Sequence, residues 1–185
     1  MKAMVRGLAG FLILLGMVAA GCGYQFRVSG EPQGIDIESL AIPLFSSTSS
    51  ELGFEADFTR VIRNEFISHA RVPLVAEEKA AKVIVGKIFE IRTSPVTYGS
   101  RDVTVGGQVA TYEVTRSRNL SIRLDVQLLD RREGTVVWRD QSMTASSSFA
   151  VAPDPMLTRY NERVALERIA RSLAKMIYLK TMERF

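Results

Sequence analysis

Two residue types able to do covalent or metal chemistry occur once each in the 185 residues: Cys22 and His69. One thiol and one imidazole, 47 positions apart, do not make a metal cluster, and Cys22 has no cysteine partner for an intramolecular disulfide. His69 falls near the C-terminal end of an amphipathic stretch, where a helix's partial negative charge favours a surface or capping role. There is no G-x-S-x-G elbow, H-E-x-x-H pair or phosphate-binding Walker loop. Gly106-Gly107 lacks the strand-to-helix setting and lysine of a phosphate cradle. A purely carboxylate mechanism is the one enzymatic class left open.

The chemistry of Cys22 follows from what precedes it. Lys2 and Arg6 come first, then apolar Leu8 to Met17, then Val18-Ala19-Ala20-Gly21. That is the basic, apolar and small-residue order of a secretory signal, and the run is shorter than the roughly 20 apolar residues a spanning helix needs. Cysteine after Ala-Ala-Gly resembles a bacterial lipobox, although Ala19 stands where leucine is usual. In such lipoproteins the thiol takes a diacylglycerol, the signal is cut before the cysteine, and the new amine is acylated. The competing reading is an ordinary signal cut after Ala20. Acyl chains contribute about 0.8 kcal/mol per buried CH₂, so two or more hold stably where one does not. Gly23, rather than aspartate, is compatible with sorting to the outer membrane by the rule for lipoproteins as a class.

These features divide the chain into a signal (1–21), a lipidated tether (22–35) and a single domain (36–185). The formal charge of +4 falls to +2 once Lys2 and Arg6 leave, too small a bias for a nucleic-acid surface.

Within the domain, Ile37 to Phe45 reads as a strand with Pro43 near its end. Ser46 to Ser50 reads as a loop, and Thr48 with Glu51 as a capping box. Phe54, Phe58, Val61, Ile62 and Phe66 mark one face of a helix reaching about Ala70. A short strand is expected over Arg71 to Val75, and a helical turn or loop over Glu77 to Ala81. Lys82 to Thr93 is expected as a strand apolar on both sides, with Val83, Val85, Phe89 and Ile91 on one face and Ile84 and Ile88 on the other. Pro95 should interrupt it, leaving Tyr98 to Gln108 as a loop or irregular hairpin end.

The plainest strand signal runs from Val109 to Leu129, with Leu120, Ile122, Leu124, Val126 and Leu128 alternating with Ser121, Arg123, Asp125 and Gln127. Arg131 to Gly134 makes a hairpin turn, after which Val136 and Trp138 resume the buried face and Met143, Ala145 and Phe149 share one parity. Asp154 and Pro155 open a long final helix with a stripe of Leu166, Ile169, Ala170, Leu173, Met176 and Ile177. Lys180 and Arg184 suit its negative end. The expected fold is α+β: a two-layer sandwich of a mixed four-stranded sheet with two amphipathic helices on one face. The other face, carrying Ser121, Arg123, Asp125 and Gln127, is too polar for a second helical layer.

Cys22-Gly23-Tyr24, Ser39 to Phe45, Arg63 to Ile67, Ile84 to Ile88, Ser94 to Tyr98, and Leu128 to Arg132 followed by Val136 to Trp138 together resemble the LPS-assembly lipoprotein family, LptE. The likeness covers nearly all of Cys22 to Phe185 in element order. Ser46-Ser47-Thr48 replaces the family's Asn-x-Thr/Ser flavour after the first strand.

The resemblance implies an outer-membrane, periplasm-facing lipoprotein with no cofactor. It also implies a plug and assembly partner of the LptD β-barrel that binds lipopolysaccharide. LPS carries phosphates, so it further implies arginine contacts: Arg131 and Arg132 at the hairpin tip, with Arg116 and Arg118 behind them. Other readings are an auxiliary lipoprotein of another envelope lipid-transport system of the ABC type, and an envelope hydrolase.

Overall fold

The computed structural model describes residues 37–48, 54–106 and 108–182. The expected signal peptide, Cys22, the tether, Glu51 and Arg184 lie outside the described residues. Five strands and two helices follow in the order β1 (Leu40–Ala41), β2 (Ser46–Ser47), α1 (Phe54–His69), β3 (Lys82–Val105), β4 (Gln108–Asp130), β5 (Val136–Ala150) and α2 (Pro155–Met182). Across the sheet the order is β1-β3-β4-β5, with β2 also pairing with β3. β1 and β2 run parallel to β3, and the other pairs are antiparallel. The mixed sheet therefore has four positions, the first shared by two short pieces.

That division corrects the expectation of one strand over Ile37 to Phe45 and a loop from Ser46. Pro43 has no amide to give a ladder. The groups around it bond to α1 instead: Arg63 Nε donates to the Ile42 carbonyl at 2.8 Å, and the Phe45 amide donates to Thr59 Oγ1 at 3.0 Å. Pairing resumes at Ser46, and the Thr48 amide and hydroxyl both donate to the Ile88 carbonyl. The Thr48 hydroxyl thus serves β3; the expected capping box with Glu51 lies outside the described residues. The expected strand at Arg71 to Val75 is reduced to a single bridge between Leu74 and Leu40.

Both helices cover one sheet face. Phe58, Ile62 and Phe66 of α1, and Ile169, Leu173 and Ile177 of α2, bury against Ile84, Ile88, Leu124 and Leu128. The start of α2 is as expected: the Met156 amide donates to Asp154 Oδ1 at 2.8 Å. The opposite sheet face carries Ser121, Arg123, Asp125 and Gln127, none of them buried.

Two further differences concern parity. A bulge between Ile88 and Glu90 shifts the phase of β3, so Ile91 pairs opposite buried Ile122 and packs on the core with Ile88. Phe89 is left outside, beneath the Arg123 guanidinium at 5.7 Å. Val136, expected on the buried face, is 53% exposed because it opens β5 beside the turn, whereas Trp138 is buried.

The largest correction is to length. β3 does not stop at Pro95 but continues to Val105, where it pairs with β4, whose span from Gln108 agrees with the strand expected from Val109. Pro95 is tolerated because register shifts adjoin it and because, among the described residues, no strand pairs with the outer side of β3 there. β5 follows β4 outward only as far as Ser117. The paired residues from Tyr98 to Thr115 therefore form a two-stranded ribbon beyond the three-stranded part of the sheet, about 25 Å long at the usual strand rise.

Candidate functional site

Of the four arginines singled out in the sequence, two lie just past the end of β4 and two near its middle. Arg131 and Arg132 occupy the turn after Asp130, and Arg116 and Arg118 lie some 13 residues earlier, roughly 40 Å away along an extended strand. They cannot converge on one phosphate.

At the turn, the arginines are tied into the domain. Arg131 donates to the Glu77 carbonyl. Arg132 forms a two-pronged pair with Glu38, at 3.1 and 2.5 Å. The hydrogen bond and charge of Arg132 hold the Glu38 carboxyl below its ordinary pKa. Asp130 accepts from Lys82 Nζ at 2.5 Å and from the Glu133 and Arg132 amides at 3.2 and 2.9 Å, which lowers its pKa as well. Gly134 completes the turn at φ +67°. This cluster joins the start of the described chain to β3 and the β4–β5 turn.

Near the middle of β4, Arg118 is exposed between Pro95 and Phe149. Arg116 lies flat over Gly99, which has no Cβ to obstruct it, and its guanidinium donates to the Ser100 carbonyl at 3.4 Å. The ribbon also carries Tyr112, within the stretch expected as a strand, and Arg101 and Val103, which sequence reasoning missed because it read Tyr98 to Gln108 as a loop or irregular hairpin end. The signal was present: two runs rich in Val and Thr flank Gly106-Gly107, and Gly106 takes φ +61° at the tip.

His69 is half-exposed near the end of α1; its Nδ1 lies 3.0 Å from the Glu65 carbonyl oxygen, and its own carbonyl accepts from the Tyr178 hydroxyl at 3.2 Å. A groove of about 430 Å³ lies between α1 and α2, floored by Phe54, Val61, Leu166 and Ala170. Two ion pairs, Asp57–Arg60 and Glu167–Arg171, lie along its rim. No helix among the described residues is long and apolar enough to cross a membrane.

The family model for lipopolysaccharide assembly, LptE, matches residues 37–181. The chain belongs to the LptE family. The match spans all five strands and nearly all of α2, so this LptE-family chain carries the family's domain from β1 to its last helix.

Among solved structures it is similar to rare lipoprotein B from Shewanella oneidensis, at 14% identity and TM-score 0.46, covering 77% of this chain and 92% of that one. It is also similar to an uncharacterized lipoprotein B from Nitrosomonas europaea, at 18% identity and TM-score 0.46, covering 83% and 88%. PelC of Paraburkholderia phytofirmans, a dodecamer, is a third, at 14% identity and TM-score 0.43, covering 82% and 90%. No curated relative matches the chain. Family membership points to an LPS-assembly, envelope lipoprotein role.

Proposed function

We propose that this chain is a non-catalytic outer-membrane lipoprotein, held on the periplasmic side by acyl chains on Cys22. In this reading it is the plug and assembly partner of an LptD-type β-barrel and binds lipopolysaccharide during insertion into the outer membrane. The observation that carries the reading is the family match over 37–181, together with the basic, apolar and small-residue order that ends at Cys22.

The arrangement of charge supports it. Arg131 and Arg132 have partners inside the domain, so a phosphate at the turn would compete with Glu38 and the Glu77 carbonyl. Arg116 and Arg118 have no carboxylate partner among the described residues, and of the four they are the better phosphate contacts.

The test is affinity capture of the full-length protein from solubilised outer membranes, with LPS measured in the eluate. An LptD-type barrel and LPS should co-elute. Capture of the components of an ABC-type lipid transporter, without the barrel, would replace this reading with the auxiliary-lipoprotein one.

A further inference from the structure

The final helix carries two stripes, and the core uses only one. Ala165, Ile169, Leu173 and Ile177 are buried. On another side, Leu157, Tyr160, Val164, Arg168, Arg171 and Lys175 follow one another at intervals of three or four residues, so they line one face of α2. None of these six is buried; Leu157 and Tyr160 are 48% and 60% exposed, and Met156 beside them is 71% exposed. The face is apolar toward its start and basic toward its end.

Its charge is unbalanced. Arg168 and Lys175, with Arg163 at the margin, are exposed and form no ion pair among the described residues. Glu167 is the one carboxylate beside them, and it lies 3.9 Å from Arg171. Glu162 falls on the opposite side of the helix by its spacing. Elsewhere the cations are matched: Arg92 and Arg123 pair with Glu90, Arg139 with Asp125, and Lys180 with Asp140.

The position of this face matters as much as its composition. Lys180, in the last turn of α2, bonds to Asp140 near the start of β5, and Glu38 pairs with Arg132 in the turn just before that strand. The described chain therefore begins at the end of the domain where α2 finishes. With 28 residues, α2 is about 42 Å long. Residues 22–36 reach at most about 50 Å. A chain held at Cys22 can thus bring the whole length of α2 down on the bilayer that holds it.

We propose that the outer face of α2 is a docking surface for an anionic phospholipid bilayer. Met156, Leu157 and Tyr160 enter the boundary between headgroups and acyl chains, and Arg163, Arg168, Arg171 and Lys175 meet the headgroup phosphates. Charge complementarity selects this occupant: a second copy of the chain would set the same cations against each other. The assignment rests on the reading that Cys22 is acylated, and it does not depend on the barrel. The acyl chains hold the domain, and the helix decides how it lies. Attraction between exposed charges is screened at cellular salt, so the face orients the chain without retaining it alone. Because both helices cover one side of the sheet, the side carrying Ser121 and Arg123 is turned away from the bilayer.

The test uses the processed, lipidated protein in phosphatidylcholine vesicles with or without phosphatidylglycerol. With Cys22 acylated, an introduced cysteine is the only free thiol. Val164→Cys reports on the outer face of α2, and Ser146→Cys, opposite Ser121 in the sheet, reports on the far side. Each is labelled with a fluorophore, and the vesicles carry a headgroup nitroxide as quencher. With phosphatidylglycerol present, quenching at 164 should exceed that at 146 at least twofold. Phosphatidylcholine alone, or high salt, should abolish the difference. Changing Arg163, Arg168, Arg171 and Lys175 together to Gln should do the same, and Leu157→Ser with Tyr160→Ser should reduce it. Arg92→Gln, which removes a cation from the sheet, should leave it unchanged.

Equal quenching at the two positions in an acylated protein overturns the proposal while the anchor stands. So does a difference that survives the fourfold charge variant. A charge variant that keeps the quenching difference but loses the barrel in affinity capture also overturns it, because the face is then a protein contact. A chain that is bare at Cys22 and stays in the supernatant of phosphatidylglycerol vesicles at low salt sinks both the anchor and the docking surface.

Discussion

The ring of Phe45 occupies the space that a side chain at Gly86 would need: a Cβ built there falls 1.8 Å from Phe45 Cε1. Phe45 comes from the segment between β1 and β2, is buried, and packs edge-on against Phe58 of α1 at 5.5 Å. Gly86 thus lets the connecting segment lie flat on β3 beneath the first helix. Replacement by alanine forces a buried ring to move in a packed interior, at a cost of about 1–3 kcal/mol. Gly86→Ala should lower the thermal midpoint by several degrees; an unchanged melt would mean that the ring relocates freely.

The β4–β5 turn needs its glycine for a different reason. Gly134 sits at φ +67° with open space where a Cβ would go. Any loss in Gly134→Ala is therefore backbone strain alone, about 1 kcal/mol. Chemical denaturation should show a lower midpoint with an unchanged slope. Gly134→Asn should recover part of the loss, because asparagine tolerates the left-handed region better.

Acid should loosen the edge of the sheet. Lys180 Nζ donates to Asp140 at 2.8 Å, and this bond, helped by the Ser142 amide at 3.1 Å, holds the Asp140 carboxyl below its ordinary value of 3.8. A carboxyl whose pKa is lower folded than unfolded stabilises fully above the unfolded value and loses that contribution as pH falls through the folded one. Stability should therefore hold above about pH 5 and decline below 3.8, with Asp125 beside Arg139 acting in the same direction. Lys180→Met should flatten the acid limb of urea midpoints plotted against pH. The effect at neutral pH should stay within about 1 kcal/mol, since the pair is partly exposed.

The anchor gives a functional prediction. Cys22→Ser removes the thiol that would be acylated, so the variant should leave the membrane fraction. Intact-mass measurement of the wild-type protein should show a diacylglycerol thioether and an acylated amine on Cys22. A wild-type chain with bare Cys22 that stays soluble in the periplasm would remove the lipoprotein assignment.

Much of the fold was legible because it is written in local pattern. The alternation from Leu120 to Leu128 places one face of β4 in the core, and all five apolar residues are buried. Asp154 before Pro155 marks the start of α2, and Gly134 marks a turn, through chemistry confined to a few neighbouring residues. The candidate site was less legible. Arg116 was picked out for its type, but its neighbours Arg101 and Tyr112 join it only when β3 and β4 are paired in register. Treating Pro95 as a terminator hid that pairing, because proline ends a strand only where its missing amide was required.

By itself, then, the sequence determined the class of the fold, the two apolar helix stripes, the polar outer face of β4 and the thiol at Cys22, since each depends on periodicity or on adjacent residues. Only the tertiary structure decided that Thr59 and Arg63 would split the first strand, that a bulge at Phe89 would turn Ile91 inward, and that Arg131 and Arg132 would be tied to Glu77 and Glu38 while Arg116 lay across Gly99. These outcomes depend on which distant backbone or side-chain group meets each hydrogen-bonding atom. Residue order alone does not specify that pairing until the chain has packed.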